Sequence, residues 1–100
     1  MSADIQELLN APTSGEHAPS LARMEDALTE GYAQALALEA ERLRLQQRIG
    51  EVARAADGEV AEEIRSLARR ITHADGELMK LRTLLGSLHD RARHARLASR

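Results

Sequence analysis

The sequence predicts an all-α fold, an antiparallel two-helix coiled-coil hairpin that a dimer partner or another protein completes to a four-helix bundle. Three observations carry that expectation. Val60, Ile64, Leu67, Ile71, Ala74, Leu78, Leu81, Leu85, Leu88, Ala92 and Ala95 form an unbroken 4-3 apolar repeat, the pattern of helices that wrap on one another. A second repeat precedes it, and Asp57-Gly58 between them is a turn signal. The apolar content is Ala, Leu, Ile and Val, with one Tyr and no Phe or Trp, which suits packed helices better than an aromatic-rich enzyme core.

Taken from the N-terminus, Ser2 to Asn10 predicts two turns of helix with Ile5, Leu8 and Leu9 on one side. Alone it is too short to hold its structure in water, so it is expected to fold upon a partner. Residues 10–20 hold Pro12, Gly15 and Pro19 among small polar residues and read as a flexible linker. The chain thus divides into residues 1–19 and a hairpin over residues 20–100. From about 20 to 56 only Gly31 and Gly50 weaken a long helix, and a second long helix runs from about 59 to 98.

Folding the chain at residues 57–58 brings together residues equally far from the turn. The layers are Leu21–Ala95, Met24–Ala92, Leu28–Leu88, Gly31–Leu85, Ala35–Leu81, Leu38–Leu78, Arg42–Ala74, Leu45–Ile71, Ile49–Leu67, Val52–Ile64 and Ala56–Val60. Each joins a heptad position a to a d, as an antiparallel coiled coil requires. The acidic start of the chain and its Arg-rich end fall side by side.

Two layers break the apolar pattern. Arg42 faces Ala74, whose small side chain leaves room for the Arg stem. Glu39 and Asp75 flank that level on one seam, Glu41 and Glu77 on the other. The layer reads as a polar, register-setting one, or else as an acidic patch for a cation or a partner's Arg. One heptad away Arg48 and Arg70 are expected to oppose each other with like sign. Gly31 leaves a gap opposite Leu85, either a tolerated glycine or a notch for another chain. A further apolar stripe, Tyr32, Leu36, Ala40 and Leu43, lies outside the hairpin seam, as do Met79 and Leu84. Tyr32, Leu36 and Leu43 are therefore the expected docking stripe.

The net charge of −2 gives no global pull toward nucleic acid or an anionic membrane. All but one of the 14 basic residues are Arg, whose planar fork of donors suits interfacial ion pairs. There is no Cys, so no disulfide or thiolate site. No leader and no long apolar run is expected, which points to a cytoplasmic bacterial protein without membrane contact. His17, His73, His89 and His94 show neither Glu-x-x-His nor His-x-x-x-His spacing, so no metal site is expected. The basic end carries no aromatic for base stacking, and direct DNA binding is not expected. No cofactor and no catalytic residue is expected.

Glu62, Ser66 and Arg69 match, in type and spacing, a helix-borne pattern E-x3-S-x2-R-x3-Q-x3-D, with His73 and Glu77 in its last two places. On these residues the segment 62–77 resembles the RsiG family of anti-sigma factors, which bind cyclic di-GMP on an antiparallel helical hairpin. The resemblance implies a nucleotide second messenger as ligand and a sigma factor as partner. Arg can stack on guanine or grip phosphate, and a carboxylate can accept from a guanine edge. The set Arg70, Glu77 and Lys80 is similar in residue type to that of all-helical chorismate mutases, a remote enzymatic alternative.

The reading of the whole sequence is a non-enzymatic interaction module or small regulatory adaptor. It binds itself as a homodimer or docks on a protein partner. The alternative is a cyclic di-GMP-responsive regulator of transcription.

Overall fold

The computed structural model describes residues 2–55 and 60–98, with side chains from Asp4 onward. Among these residues there are three helices and no strand: α1 (Ser2–Asn10), α2 (Leu21–Ala55) and α3 (Val60–Ala98). The expected turn at residues 57–58 and the Ala56–Val60 layer lie outside the described residues. Between α1 and α2, Gly15 takes φ 93°, a left-handed backbone that costs glycine little, and Ala18 N–H donates to its carbonyl at 3.2 Å. Pro19 and Ser20 then start α2. The Ser20 hydroxyl oxygen accepts from Arg23 N–H at 3.1 Å, satisfying one of the bare donors of the first turn.

The chain forms two compact units, Leu36–Met79 and a second made of Met1–Ala35 with Lys80–Arg100.

In the Leu36–Met79 unit, α2 and α3 run antiparallel. Leu45, Val52 and Leu67 form the buried cluster, with Ile49, Val60, Ile64 and Ile71 half-buried against it. The g-position side chains flank that seam. Arg48 reaches Glu63 at 3.3 Å and Arg70 reaches Glu41 at 3.9 Å. The expected like-charge opposition of Arg48 and Arg70 is therefore corrected. In an antiparallel pair g faces g, which sets each of these Arg opposite a Glu and not opposite the other Arg. Arg48 also touches Glu51, one turn along, at 3.4 Å.

The Arg42 layer also differs from the expected buried polar layer. Ala74 is buried, but Arg42 turns outward and sets its Nε 2.6 Å from Asp75 Oδ1, with both side chains 44% exposed. The long apolar stem lets the charge reach water, and no charged or polar residue is buried among the described residues.

In the other unit, Met24, Leu28, Ala35, Leu81, Leu85, Leu88 and Ala92 of the long helices are buried together with Ile5 and Leu8 of α1. The expected Gly31–Leu85 layer is present. A β-carbon at Gly31 would collide with Leu85 Cδ2 and lie 3.3 Å from Ile5 Cδ1. The gap that the sequence leaves at Gly31 is thus filled from inside the chain. Arg96 Nη2 donates to Glu25 Oε1 at 2.9 Å, one of the acid–base pairings expected where the chain's acidic and Arg-rich ends meet.

Candidate functional site

Two opposite sides of the Leu36–Met79 unit carry what its interior does not use. Leu36 and Leu43 are seven residues apart on α2, each directly after an a position, and Met79 stands directly after the a-position Leu78 on α3. That heptad place looks to the same side of both helices of an antiparallel pair. The three side chains are 66%, 55% and 71% exposed. Arg42 and Asp75, paired with each other, lie on that side together with the half-buried Glu39.

The other side carries a groove of about 480 Å³ lined by Leu38, Glu41, Ser66, Arg69, Arg70, His73, Ala74 and Glu77. One helical face produces it: Ser66, Arg69, His73 and Glu77 recur every three or four residues along α3, and Glu41 comes from α2. Arg70 is held near Glu41, whereas Arg69 shows no carboxylate partner among the described residues. The groove therefore offers one uncommitted guanidinium, an imidazole, a hydroxyl and two carboxylates over an apolar floor of Leu38 and Ala74. Such a set can grip an anionic group and accept hydrogen bonds from a ligand's N–H edge.

The structure thus gathers four of the five positions of the E-x3-S-x2-R pattern. The fifth, Glu62, does not line the groove and faces Arg65 at 4.0 Å. Of the polar-layer residues, Glu41 lines the groove, Asp75 holds Arg42 and Glu39 is half-buried. Tyr32 belongs to the other unit and is 48% exposed. Ile5 and Leu8, expected to meet a partner, are buried within their own chain, and Leu9 is half-buried.

Two residues that matter were not singled out as contacts by sequence reasoning. Met79 stood off the main stripe, and its heptad place beside Leu36 and Leu43 was the available signal. Arg91 Nη1 donates to Leu8 O at 2.7 Å and also to Leu9 O, and its Nη2 donates to Ala11 O. The sequence showed Arg91 only as one charge in a basic end.

No group of three or more potential metal ligands occurs among the described residues, and among them no helix is long and apolar enough to cross a membrane. Compared with known proteins, the chain matches no family model, no curated protein and no solved structure.

Proposed function

We propose that this chain is a non-enzymatic, cytoplasmic interaction module that pairs with a second copy of itself through the Leu36, Leu43 and Met79 side of its long helices, completing a four-helix bundle. The observation that carries this reading is the exposure of three large apolar side chains on one side of a unit whose interior is otherwise apolar and closed. A second copy as occupant is compatible with the charge beside the patch: Arg42 and Asp75 neutralise each other there, so a two-fold interface does not set these two against their own kind. Tyr32 lies on the same helix and extends the apolar stripe in sequence.

Light scattering during gel filtration tests the proposal. The native chain should run at twice its 11.0 kDa, and Leu36→Glu with Leu43→Glu should return it to the monomer mass. A monomer at every concentration up to about 1 mM would overturn it, since weaker pairing than that is not specific association.

The groove favours a second reading, a regulator of the anti-sigma type whose ligand is cyclic di-GMP and whose partner is a sigma factor. Its support is that Ser66, Arg69, His73 and Glu77 line one cavity. Titration calorimetry with cyclic di-GMP decides it: saturable heat that disappears in Arg69→Ala supports the reading, and no heat in the native chain ends it.

A further inference from the structure

We infer that the unit containing Gly31, Leu85 and Arg91 is a socket for short amphipathic helices, and that α1 is its resident, displaceable occupant. The proposal concerns a different unit from the self-association patch and does not rest on it.

Three observations meet there. First, Ile5 and Leu8 are almost wholly buried, while Asp4, Gln6, Glu7 and Asn10 on the same helix are exposed. The helix docks by one edge, the i and i+3 positions that share a face. Second, the socket has a shaped floor. Gly31 stands at a heptad d position where a side chain is otherwise expected, and the space of its missing β-carbon is taken by Leu85 Cδ2, with Ile5 Cδ1 packed 3.3 Å from the same point. Third, the socket has a polar end-stop. The Arg91 guanidinium donates to the carbonyls of Leu8, Leu9 and Ala11. The last carbonyls of any helix lack partners within the helix, and a cation at that end also meets the negative pole of its dipole. Arg91 thus recognises where a helix stops and not which side chains it carries, because all three acceptors are backbone.

Such a socket suits any short helix with a branched or linear aliphatic residue at i and Leu at i+3, ending three residues later in free carbonyls. That is the occupant to which the proposal commits: a partner's short helix of this pattern. The argument for it is the helix already seated, which has little structure of its own at nine residues and owes its order to the dock. The tether over residues 11–20 holds α1 near the socket at millimolar effective concentration. Its anchors among the described residues are the buried Ile5 and Leu8, the half-buried Leu9 and the Arg91 clamp, none of which requires the long helices to melt for release. Release frees both the socket and the Ile5-Leu8-Leu9 edge.

The probe is a synthetic peptide with the sequence of residues 2–11, titrated into the full chain by fluorescence anisotropy. Ile5→Asp in the full chain opens the socket, because Ile5 is wholly buried and a carboxylate cannot be buried there without a partner; Leu8→Asp is the second opening variant, and circular dichroism checks that both keep their helices. The opened chains should bind the peptide saturably. The native chain should bind it at least about tenfold more weakly, since its tethered α1 competes. A peptide carrying the Ile5→Asp change should not bind. The native chain provides an independent readout: excess peptide should speed hydrogen exchange at Ile5 to Leu9. The proposal is overturned if neither opened chain binds the native peptide at 1 mM, if the altered peptide binds equally, or if excess peptide leaves exchange at Ile5 to Leu9 unchanged. Pairing of native chains that survives Leu36→Glu with Leu43→Glu, and is lost in Ile5→Asp, would identify the occupant as α1 of a second copy and overturn the assignment to a foreign helix.

Discussion

Gly31 concentrates the physics of its unit in one missing methyl group. On an open helix surface, replacing glycine by alanine gains about 1 kcal/mol of helix propensity. Here the new β-carbon would run into Leu85 Cδ2, with Ile5 Cδ1 at 3.3 Å closing the other side. Leu85 is buried and has little room to swing, and overpacking of this kind costs about 1–3 kcal/mol. The steric term wins over the propensity term. Gly31→Ala is expected to lower the melting temperature by several degrees, at about 4–8 °C per kcal/mol for a domain of this size. A higher melting temperature in calorimetry would show that the packing relaxes and that the gap is idle space. The sequence showed the anomaly, a glycine in a d position opposite Leu85, but not its cause. Leu85 takes the space itself, but Ile5, which closes its other side, comes from a segment separated by a Pro- and Gly-containing linker, and heptad pairing of the long helices has no term for a third helix. Arg91 was illegible for a related reason. Its acceptors are backbone carbonyls, which no side-chain pattern displays.

For the helices themselves, the heptad repeat was the readable part. Each unit packs α2 and α3 antiparallel, and the cross-helix contacts at Gly31–Leu85, Glu41–Arg70 and Arg48–Glu63 all fit the heptad register read from the two apolar repeats. The ion pairs were misread from the same heptads because Arg48 and Arg70 are close in level. Helix polarity sorts them: antiparallel neighbours match g with g, and each Arg then meets a Glu. Both pairs are solvent-exposed, so they add little energy. A double-mutant cycle on Glu41 and Arg70 should give a coupling of about 0.2–1 kcal/mol, shrinking in 1 M salt. The sharper expectation is for charge reversal: Glu41→Arg alone should cost more than Glu41→Ala, and Arg70→Glu added to it should restore the loss. A coupling of zero in urea titrations at low salt would mean that the apolar seam alone fixes the register. The Arg42 layer is subject to the same reasoning. With its charge half-exposed against Asp75, it is a solvated pair beside a small alanine and not a buried polar layer, a distinction that depends on side-chain direction and not on heptad place.

At the scale of the whole chain, the proposed self-association rests on the balance between buried and open apolar surface. Neither unit leaves a buried polar side chain without a partner among the described residues, so the interior asks for nothing further. On the Leu36–Met79 unit, what remains is outside: Leu36, Leu43 and Met79 on one side, the Ser66–Glu77 groove on the other. That Leu36 and Leu43 lie off the seam was legible from spacing. That Ser66, Arg69, His73, Glu77 and Glu41 share one cavity required the fold, because the groove exists only where two helices lie side by side. If the apolar side is a homodimer surface, folding and association are linked by mass action, and stability must depend on concentration. The native chain should melt higher as its concentration rises from about 5 μM to about 500 μM. Each tenfold increase adds roughly 1.4 kcal/mol to the dimer relative to separated chains, a shift of several degrees for a chain of this length. Leu36→Glu with Leu43→Glu should remove that dependence while leaving the helical signal of the folded monomer in place, because both side chains already stand in water. A melting temperature independent of concentration in the native chain would leave the patch without its proposed occupant. The second reading, built on the Ser66–Glu77 groove, would then be the one left to test.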